Sequence, residues 1–186
     1  AIQTIEWFKK NEVNVKVISG DNPVTVSEVA KRAGVEGADK YVSLEGMSEA
    51  DVIACATKYN VFGRVTPEQK AILVKALKHA GHTVAMTGDG VNDILAMKEA
   101  HCSITVASGS DATKNIAHIV LMDNNFNSMP HVVAEGRRVI NNIEKSSSLF
   151  LMKTLFTLVF AIISIARKAM FQIGRASCRE RVSDLV

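Results

Sequence analysis

The sequence has few cysteines, and none is placed for a disulfide framework or a metal site. Cys55, Cys102 and Cys178 are far apart, and the chain holds no Cys-x-x-Cys pair. An odd, scattered set is typical of a protein that folds in a reducing compartment. The chain also has no N-terminal signal peptide. It begins inside an amphipathic pattern and without an initiator Met, so we expect a piece of a longer protein.

The sequence also lacks a basic region that could bind nucleic acid in its first 166 residues. The net charge of +3 comes entirely from residues 167–186, which hold five Lys or Arg and two Asp or Glu. Residues 1–166 are therefore neutral, and nucleic acid is not an expected partner. Hydrophobic residues make up 47% of the chain and charged residues 22%. This balance indicates a globular core with some excess of membrane-seeking residues.

Helical and strand-like patterns alternate along the chain. Helices are predicted over residues 2–10, 23–33, 67–80 and 94–100, and short strands over residues 13–18, 61–63, 84–87, 102–106 and 118–121. Asn22 is a possible cap of the second helix, which ends at Gly34, and residues 66–69 carry the cap, first-turn proline and capping-box glutamine of the third. Strands separated by helices favour an α/β fold with a Rossmann-like parallel sheet and helices on both faces. Ligands of such sheets collect at the carboxyl ends of the strands.

The most informative motif follows the strand predicted at residues 84–87. Residues 87–93 read TGDGVND, which sets two carboxylates four residues apart, with glycines between them and an asparagine alongside. Glycines allow close approach of the backbone to a ligand, and Mg²⁺ needs only one or two carboxylates beside a phosphate. A plain hairpin turn is the alternative. Such a turn needs neither Asp93 nor Asn92, so we favour a metal and phosphate site.

A second loop repeats the same order of groups. Ser19, Gly20 and Asp21 end another predicted strand, as a hydroxyl, a glycine and an aspartate. Alone, this loop is equally well explained as a helix-capping turn. Paired with residues 87–93, it suggests one shared phosphate site. Lys70, early in a capped helix, is either a surface residue or a point charge for a phosphate.

Three segments, in this order, resemble the later phosphorylation-domain motifs of P-type cation-transporting ATPases, which belong to the haloacid-dehalogenase-like superfamily. They are residues 18–21 (ISGD), 63–70 (GRVTPEQK) and 87–93 (TGDGVND). The resemblance extends through residues 119–126 and 135–143, and it covers roughly residues 1–166. It implies a partial haloacid-dehalogenase-like domain that works with Mg²⁺ and ATP, the ATP being bound mainly by a domain that this sequence lacks.

The resemblance assigns roles to ten residues. It implies Asp89 as the Mg²⁺ ligand and Asp93, with Asn92, as polar support for the metal and the phosphate. Lys70 matches the lysine that contacts the phosphoryl group, and Ser19 stands where the family often has threonine. The expected catalytic residues are Ser19, Gly20, Asp21, Lys70 and Asn92, the cofactor-binding residues are Thr87, Gly88 and Gly90, and the metal ligands are Asp89 and Asp93.

The family's nucleophile is missing. It is an aspartate in an Asp-Lys-Thr-Gly-Thr motif on an upstream strand, and no such string occurs in this sequence. We therefore expect no covalent step from this chain alone. The parent protein would be a multi-pass membrane pump with a cytoplasmic phosphorylation domain, and the partners implied are the transported cation, membrane lipid and the rest of the pump. A soluble phosphatase of the same superfamily and a non-catalytic truncated product are the alternatives.

The C-terminal third fits that placement. Residues 149–166 are almost wholly apolar, with Lys153 as their only charge, and their 18 residues approach the length that crosses a bilayer. A buried core helix is the alternative. We expect a phosphorylation domain over residues 1–126, a stalk and transmembrane helix over 127–171, and a non-native tail over 172–186. A likeness to bacterial calcium-type pumps leaves the transported ion open.

Overall fold

The computed structural model describes residues 2–166. The predicted tail at residues 172–186, and residues 167–171 of the predicted stalk, lie outside the described residues. The described helices and strands, in chain order, are α1 (Ile2–Lys10), β1 (Val17–Ile18), α2 (Pro23–Ala33), β2 (Tyr41–Ser43), α3 (Glu49–Ala56), β3 (Val61–Gly63), α4 (Pro67–His79), β4 (Ala85–Thr87), α5 (Ile94–Glu99), β5 (Cys102–Val106), α6 (Asp111–Ile116), β6 (Ile119–Leu121) and α7 (Met129–Ala166). Short 3₁₀ turns precede α5 and α7, at Val91–Asp93 and Phe126–Ser128.

The described strands form two parallel sheets of three strands each. In one sheet β3 lies between β1 and β2, and in the other β5 lies between β4 and β6. All four strand pairs are parallel, with Ile18 opposite Phe62 and Thr87 opposite Ile104. Within the described residues, β1 and β4 each pair along one edge only. The predicted parallel α/β fold with helices is confirmed.

Helices α4 and α1 each pack against residues of both sheets. Leu73 and Leu77 of α4 are buried with Phe62 of β3, and Ile18 of β1 and Val84, next to β4, pack against the same cluster. From α1, Phe8 is buried with Ile104 of β5 in a second cluster. Apolar burial of this kind provides most of the driving force for folding. Ile5 of α1 and Val15, which follows that helix, pack against the cluster that contains Val61 of β3.

Capping residues explain why several helices start where they do. The Thr66 side chain accepts a hydrogen bond from the Gln69 backbone N–H, and the Gln69 side chain accepts one from the Thr66 N–H. This reciprocal capping box, followed by Pro67, fixes the first turn of α4 as predicted. Asn22 caps α2 in the predicted way, and Gly34 ends that helix with φ of +88°.

Three elements of the structure are not predicted from the sequence, and some predicted elements are shorter than expected. The missed elements are β2, α3 and α6, and the strand predicted over residues 13–18 is reduced to β1 at Val17–Ile18. In α3 the buried residues are only Val52 and Ala56, and α6 buries only Thr113. Elements with so few apolar contacts give no clear period in the sequence. The helix predicted over residues 94–100 ends at Glu99, because Ala100 adopts an extended conformation.

Contacts divide the chain into two units, at Val133 and Ala134. The first unit holds both sheets. The second contains most of α7, whose side chains over residues 149–163 are exposed. By length and composition, this helix includes a stretch apolar enough to cross a membrane, and 0% of that stretch is buried. The predicted long apolar C-terminal helix is therefore confirmed, and the alternative of a buried core helix is not supported by this burial.

Candidate functional site

The acidic loop leaves the carboxyl end of β4 and turns directly into α5. The Gly88 N–H donates to the Ile104 carbonyl at 3.1 Å, which keeps the start of the loop against β5. The Asp93 N–H then donates to the Gly90 carbonyl at 3.0 Å and closes the 3₁₀ turn. A Cβ on Gly88 would lie 2.4 Å from the Asp93 Cβ, so only glycine lets Asp93 pack back across the loop.

Lys70 and Asp93 form a buried ion pair at the centre of the site. The Lys70 Nζ donates to the Asp93 Oδ1 at 2.7 Å, and the two side chains are 13% and 12% exposed. The distance is typical of a strong charge-assisted hydrogen bond. From the sequence, Lys70 is predicted to contact the phosphoryl group and Asp93 the metal, whereas their pairing with each other is not predicted.

The Ser19–Asp21 loop joins this group through the segment that leads into α4. The Ser19 hydroxyl donates to the Asp21 carboxylate at 3.2 Å, and the Asp21 N–H donates back to the hydroxyl at 3.2 Å. The Arg64 N–H donates to the Asp21 carbonyl at 2.9 Å, and the Val65 N–H donates to the Ser19 carbonyl at 3.1 Å. The three motifs therefore form a chain of contacts, from the first loop through residues 64–70 to Asp93.

Asp89 stands apart from the ion pair. Its side chain is exposed, and the structure shows no hydrogen bond or ion pair to its carboxylate from the described residues. Its backbone carbonyl is held by the Ser110 N–H at 2.9 Å and the Thr113 hydroxyl at 3.4 Å. Asn92 and Thr87 are also exposed. Within the described residues no hydrogen bond links the Ser19–Asp21 loop directly to the loop at 87–93.

The donor set fits Mg²⁺ held jointly with a phosphate. Within residues 2–166 no group of three or more His, Cys, Asp or Glu side chains could hold a metal by itself. Mg²⁺ takes one or two carboxylates and completes its shell with phosphate oxygens and water. The exposed Asp89 carboxylate can supply that contact. The charges of Asp89, Asp93 and Lys70 sum to −1, so a divalent cation would make the local charge positive, as an anionic substrate requires.

Apolar side chains and a cysteine pack around the loop. Met86 and Met97 are 9% and 1% exposed and pack with Val74 and Ala96. Cys102 lies in β5 and is half-buried, and burial raises the pKa of its thiol. A raised thiol pKa lowers the fraction of reactive thiolate.

Ser110 and Thr113 support the acidic loop, and neither residue is predicted there from the sequence motifs. The Ser110 side chain caps α6 by accepting from the Thr113 N–H, and Thr113 is fully buried. A serine followed three residues later by threonine, directly after a strand, was the available signal. Because α6 itself was not predicted, the hydrogen bonds of these residues to the Asp89 carbonyl could not be predicted either.

The fold and this loop define a parallel α/β protein whose polar groups gather at the carboxyl ends of β1, β3 and β4. Residues 1–101 match the family of haloacid dehalogenase-like hydrolases, and residues 70–133 match a second family of the same description. The chain therefore belongs to the haloacid dehalogenase-like hydrolases.

The relatives of this chain include proteins named as cation-transporting ATPases. It is 48% identical over 166 residues to the probable cation-transporting ATPase exp7 of Streptococcus pneumoniae serotype 4, covering 89% of this chain and 21% of that protein. It is 47% identical over 163 residues to the calcium-transporting ATPase CtpE of Mycobacterium bovis, covering 88% of this chain and 20% of that protein. The chain thus spans about a fifth of the length of these relatives.

A solved structure shows the same fold. The chain superposes on a zinc-transporting PIB-type ATPase in the E2.Pi state with a TM-score of 0.70, covering 88% of this chain and 23% of that chain. At 24% sequence identity, the likeness concerns the fold.

Proposed function

We propose that this chain supplies the Mg²⁺- and phosphate-binding part of the phosphorylation site of an ATP-driven, P-type cation pump. The observation that carries the proposal is the largely buried pair of Lys70 and Asp93, together with the exposed Asp89 carboxylate on the same loop after β4. The relatives named as cation-transporting ATPases support the same proposal.

Each charged residue then has a distinct task. The Asp93 carboxylate holds the Lys70 ammonium, which has three N–H donors and keeps two for phosphoryl oxygens. The exposed Asp89 carboxylate ligates Mg²⁺, which supplies charge neutralisation for the phosphoryl group. Ser19 donates its hydroxyl to the same group, and Asp21 orients that hydroxyl. In transfers of this kind, the main tasks of the protein are positioning and charge stabilisation.

The nucleophilic aspartate of the family would enter from an upstream strand. Among the described residues, β1 and β4 each have one unpaired edge, and both strands carry site residues at their carboxyl ends. These edges support a position for the upstream strand between the two sheets. Ile18 and Val84, beside these edges, pack against the same cluster under α4. A parallel strand in this position would bring its carboxyl end to Ser19 and Asp89. ATP would be bound mainly by the absent nucleotide domain.

Helix α7 links this domain to the membrane in the proposal. Its exposed apolar side chains over residues 149–163 support contact with membrane lipid, with the two sheets on the cytoplasmic side. The remaining partners are the transported cation and the nucleotide, actuator and membrane domains of the pump. A soluble phosphatase has no use for such a helix, so the apolar surface of α7 favours the pump.

A chimera tests the proposal. The aligned segment of the Streptococcus pneumoniae relative is replaced by the corresponding residues of this chain, and labelled phosphate from ATP is followed into acid-stable protein. We expect Mg²⁺-dependent labelling, which is lost when the nucleophilic aspartate of the host is changed to Asn. The 186-residue chain alone should take up no label. A folded chimera that does not label, or a chain that labels alone, would contradict the proposal.

A further inference from the structure

The loop at 87–93 and the start of α7 are joined by one short turn between β5 and α6. At one end of this turn, the Ser110 N–H donates to the Asp89 carbonyl at 2.9 Å. At the other end, the Ser108 N–H donates to the Asn124 Oδ1 at 2.7 Å. Only Gly109 therefore separates the residue that donates to the acidic loop from the residue that donates to the segment before α7.

The turn is tightly packed against the acidic loop. A Cβ on Gly109 would lie 2.7 Å from the Thr105 Oγ1, 3.0 Å from the Val106 carbonyl and 3.3 Å from the Asp89 carbonyl. The fully buried Thr113 hydroxyl donates to the Ser110 carbonyl at 2.7 Å and lies 3.4 Å from the Asp89 carbonyl. The backbone of Gly109 therefore lies too close to its neighbours for a side chain, and we expect a shift of residues 108–110 to be felt at the Asp89 carbonyl.

The segment that carries Asn124 is equally constrained. Asn124 has φ of +53°, a conformation that asparagine tolerates better than most residues. Asp123 accepts from the Asn125 N–H and from the Ser128 hydroxyl. Thr4 of α1, itself buried, donates to the Asn127 Oδ1 at 2.6 Å.

The first residue of α7 is fixed in the same core. Met129 is 5% exposed and is buried in one cluster with Phe8, Ile104 and Leu121. The Phe126 ring lies 5.8 Å from the Phe8 ring, centroid to centroid. The Asn124 side chain therefore lies in a segment that is packed with the start of α7, and it accepts from the Ser108 N–H in the turn beside Asp89.

We propose that Asn124 is a positioning residue, which holds the Asp89 carbonyl through residues 108–110 and thereby links the metal loop to the first turn of α7. The inference rests on the proposed function for its role in the pump, but the mechanical link itself does not depend on that function. Coupling of this kind is reciprocal, so loosening either end loosens the other.

Amide hydrogen exchange of the full chain in detergent micelles tests the link. Asn124→Gly removes the acceptor and tolerates the positive φ, whereas Asn124→Asp keeps an oxygen in place. We expect Asn124→Gly to speed amide exchange about fivefold to tenfold at Ser108 and also at Ser110, which is the effect of losing one hydrogen bond. In Asn124→Asp, both exchange rates should stay near those of the wild type. The matched control is Asn125→Gly. Among the described residues, the hydrogen bond to the Asn125 side chain comes from the Asn127 N–H of the same turn, at 3.0 Å.

A second variant perturbs the link from the other end. Thr113→Val keeps the shape and removes the hydroxyl, which donates to the Ser110 carbonyl at 2.7 Å and lies 3.4 Å from the Asp89 carbonyl. Thr113→Val should speed amide exchange at Ser108, and this test remains available if Asn124→Gly unfolds the chain. The link is overturned if Asn124→Gly affects Ser108 alone, if Asn125→Gly affects Ser110 as strongly, or if Thr113→Val leaves Ser108 unchanged.

The chimeric pump tests the role of Asn124 in the site. Asn124→Gly should raise the Mg²⁺ concentration for half-maximal phosphorylation about threefold to tenfold, and Asn124→Asp should restore it, while Asn125→Gly should not change it. A purely structural role would lower the amount of phosphoenzyme without moving its Mg²⁺ dependence, and that result would overturn the assignment. A chimera that fails to phosphorylate with Asn124 intact would contradict the proposed function and leave the exchange results standing.

Discussion

Lys70 and Asp93 are the two side chains whose behaviour follows most directly from burial. Both are about seven-eighths buried, and each neutralises the other at 2.7 Å. A buried pair need not stabilise the fold, because desolvation offsets the attraction between the charges. Loss of one partner is a different matter, since it leaves an uncompensated charge in the protein.

Lys70→Met should therefore destabilise the chain by about 3 kcal/mol, the cost of an unpaired buried carboxylate. The double variant Lys70→Met with Asp93→Asn should recover most of the loss, because no buried charge then remains. The measurement is urea unfolding of the full chain in mild detergent. Equal stabilities of Lys70→Met and the wild type would show that the pair is not buried in solution.

Asp123, which precedes α7, makes the stability of the fold depend on pH with a defined sign. The Ser128 hydroxyl and then the Asn125 N–H donate to its carboxylate and hold its pKa below the usual range. A lowered folded pKa adds stability above the ordinary Asp pKa of about 3.9, and this stability is lost as the pH falls through the lower folded pKa.

Asp123→Asn should therefore lower stability at pH 7, and the difference from the wild type should vanish as the solution is acidified below about pH 4. Unfolding midpoints measured across that range provide the check. Ser128→Ala should cost less in the Asp123→Asn background than in the wild type, because both changes remove the same bond. A difference that persists in acid would contradict this account.

Helices with strong end signals were predictable from the sequence, whereas weakly amphipathic elements were not. The Thr66 capping box and Pro67 predict the start of α4, and Asn22 and Gly34 predict both ends of α2. By contrast, β2 has one exposed and two half-buried residues, and α6 buries Thr113 alone, so neither has a clear hydrophobic period. These elements form because tertiary contacts, rather than local propensity, hold them.

The same limit applies to the site. The motif at 87–93 predicts a carboxylate loop at a strand end, and the structure has that loop. The pair of Lys70 with Asp93 joins residues 23 positions apart, and the bond from Ser108 to Asn124 joins residues 16 apart. Contacts between loops of different strands depend on sheet order, which a single sequence does not reveal.

Helix α7 carries a prediction of its own. Its exposed large hydrophobic residues, from Leu149 to Ile165, exceed what a soluble monomer usually presents. The full chain should therefore associate with membranes or aggregate in detergent-free buffer, and truncation after Asn142 should improve its solubility. Light scattering and flotation with lipid vesicles measure both effects. A full chain that stays monomeric without detergent or lipid would contradict the membrane assignment.

The molecule as a whole is arranged around two incomplete sheets. Helices α1 and α4 pack against both, and β1 and β4 each have one edge that pairs with no described strand. Ala85 and Thr87 of β4 are exposed, which is unusual in parallel sheets because these are normally buried on both faces. The proposed upstream strand would complete the sheet and add the nucleophile, so the folding and the chemistry of the parent pump would depend on the same missing element.

The Mg²⁺ dependence of phosphorylation in the chimeric pump tests this account most directly. Asp89→Asn keeps the shape of the side chain and removes the charge that the metal needs, so it should cut phosphorylation and raise the Mg²⁺ requirement by tenfold or more, a loss of about 1.4 kcal/mol or greater. Asp93→Asn should cost less Mg²⁺ affinity, because Asp93 acts through Lys70. Wild-type Mg²⁺ dependence in Asp89→Asn would contradict the assignment of Asp89 as the metal ligand.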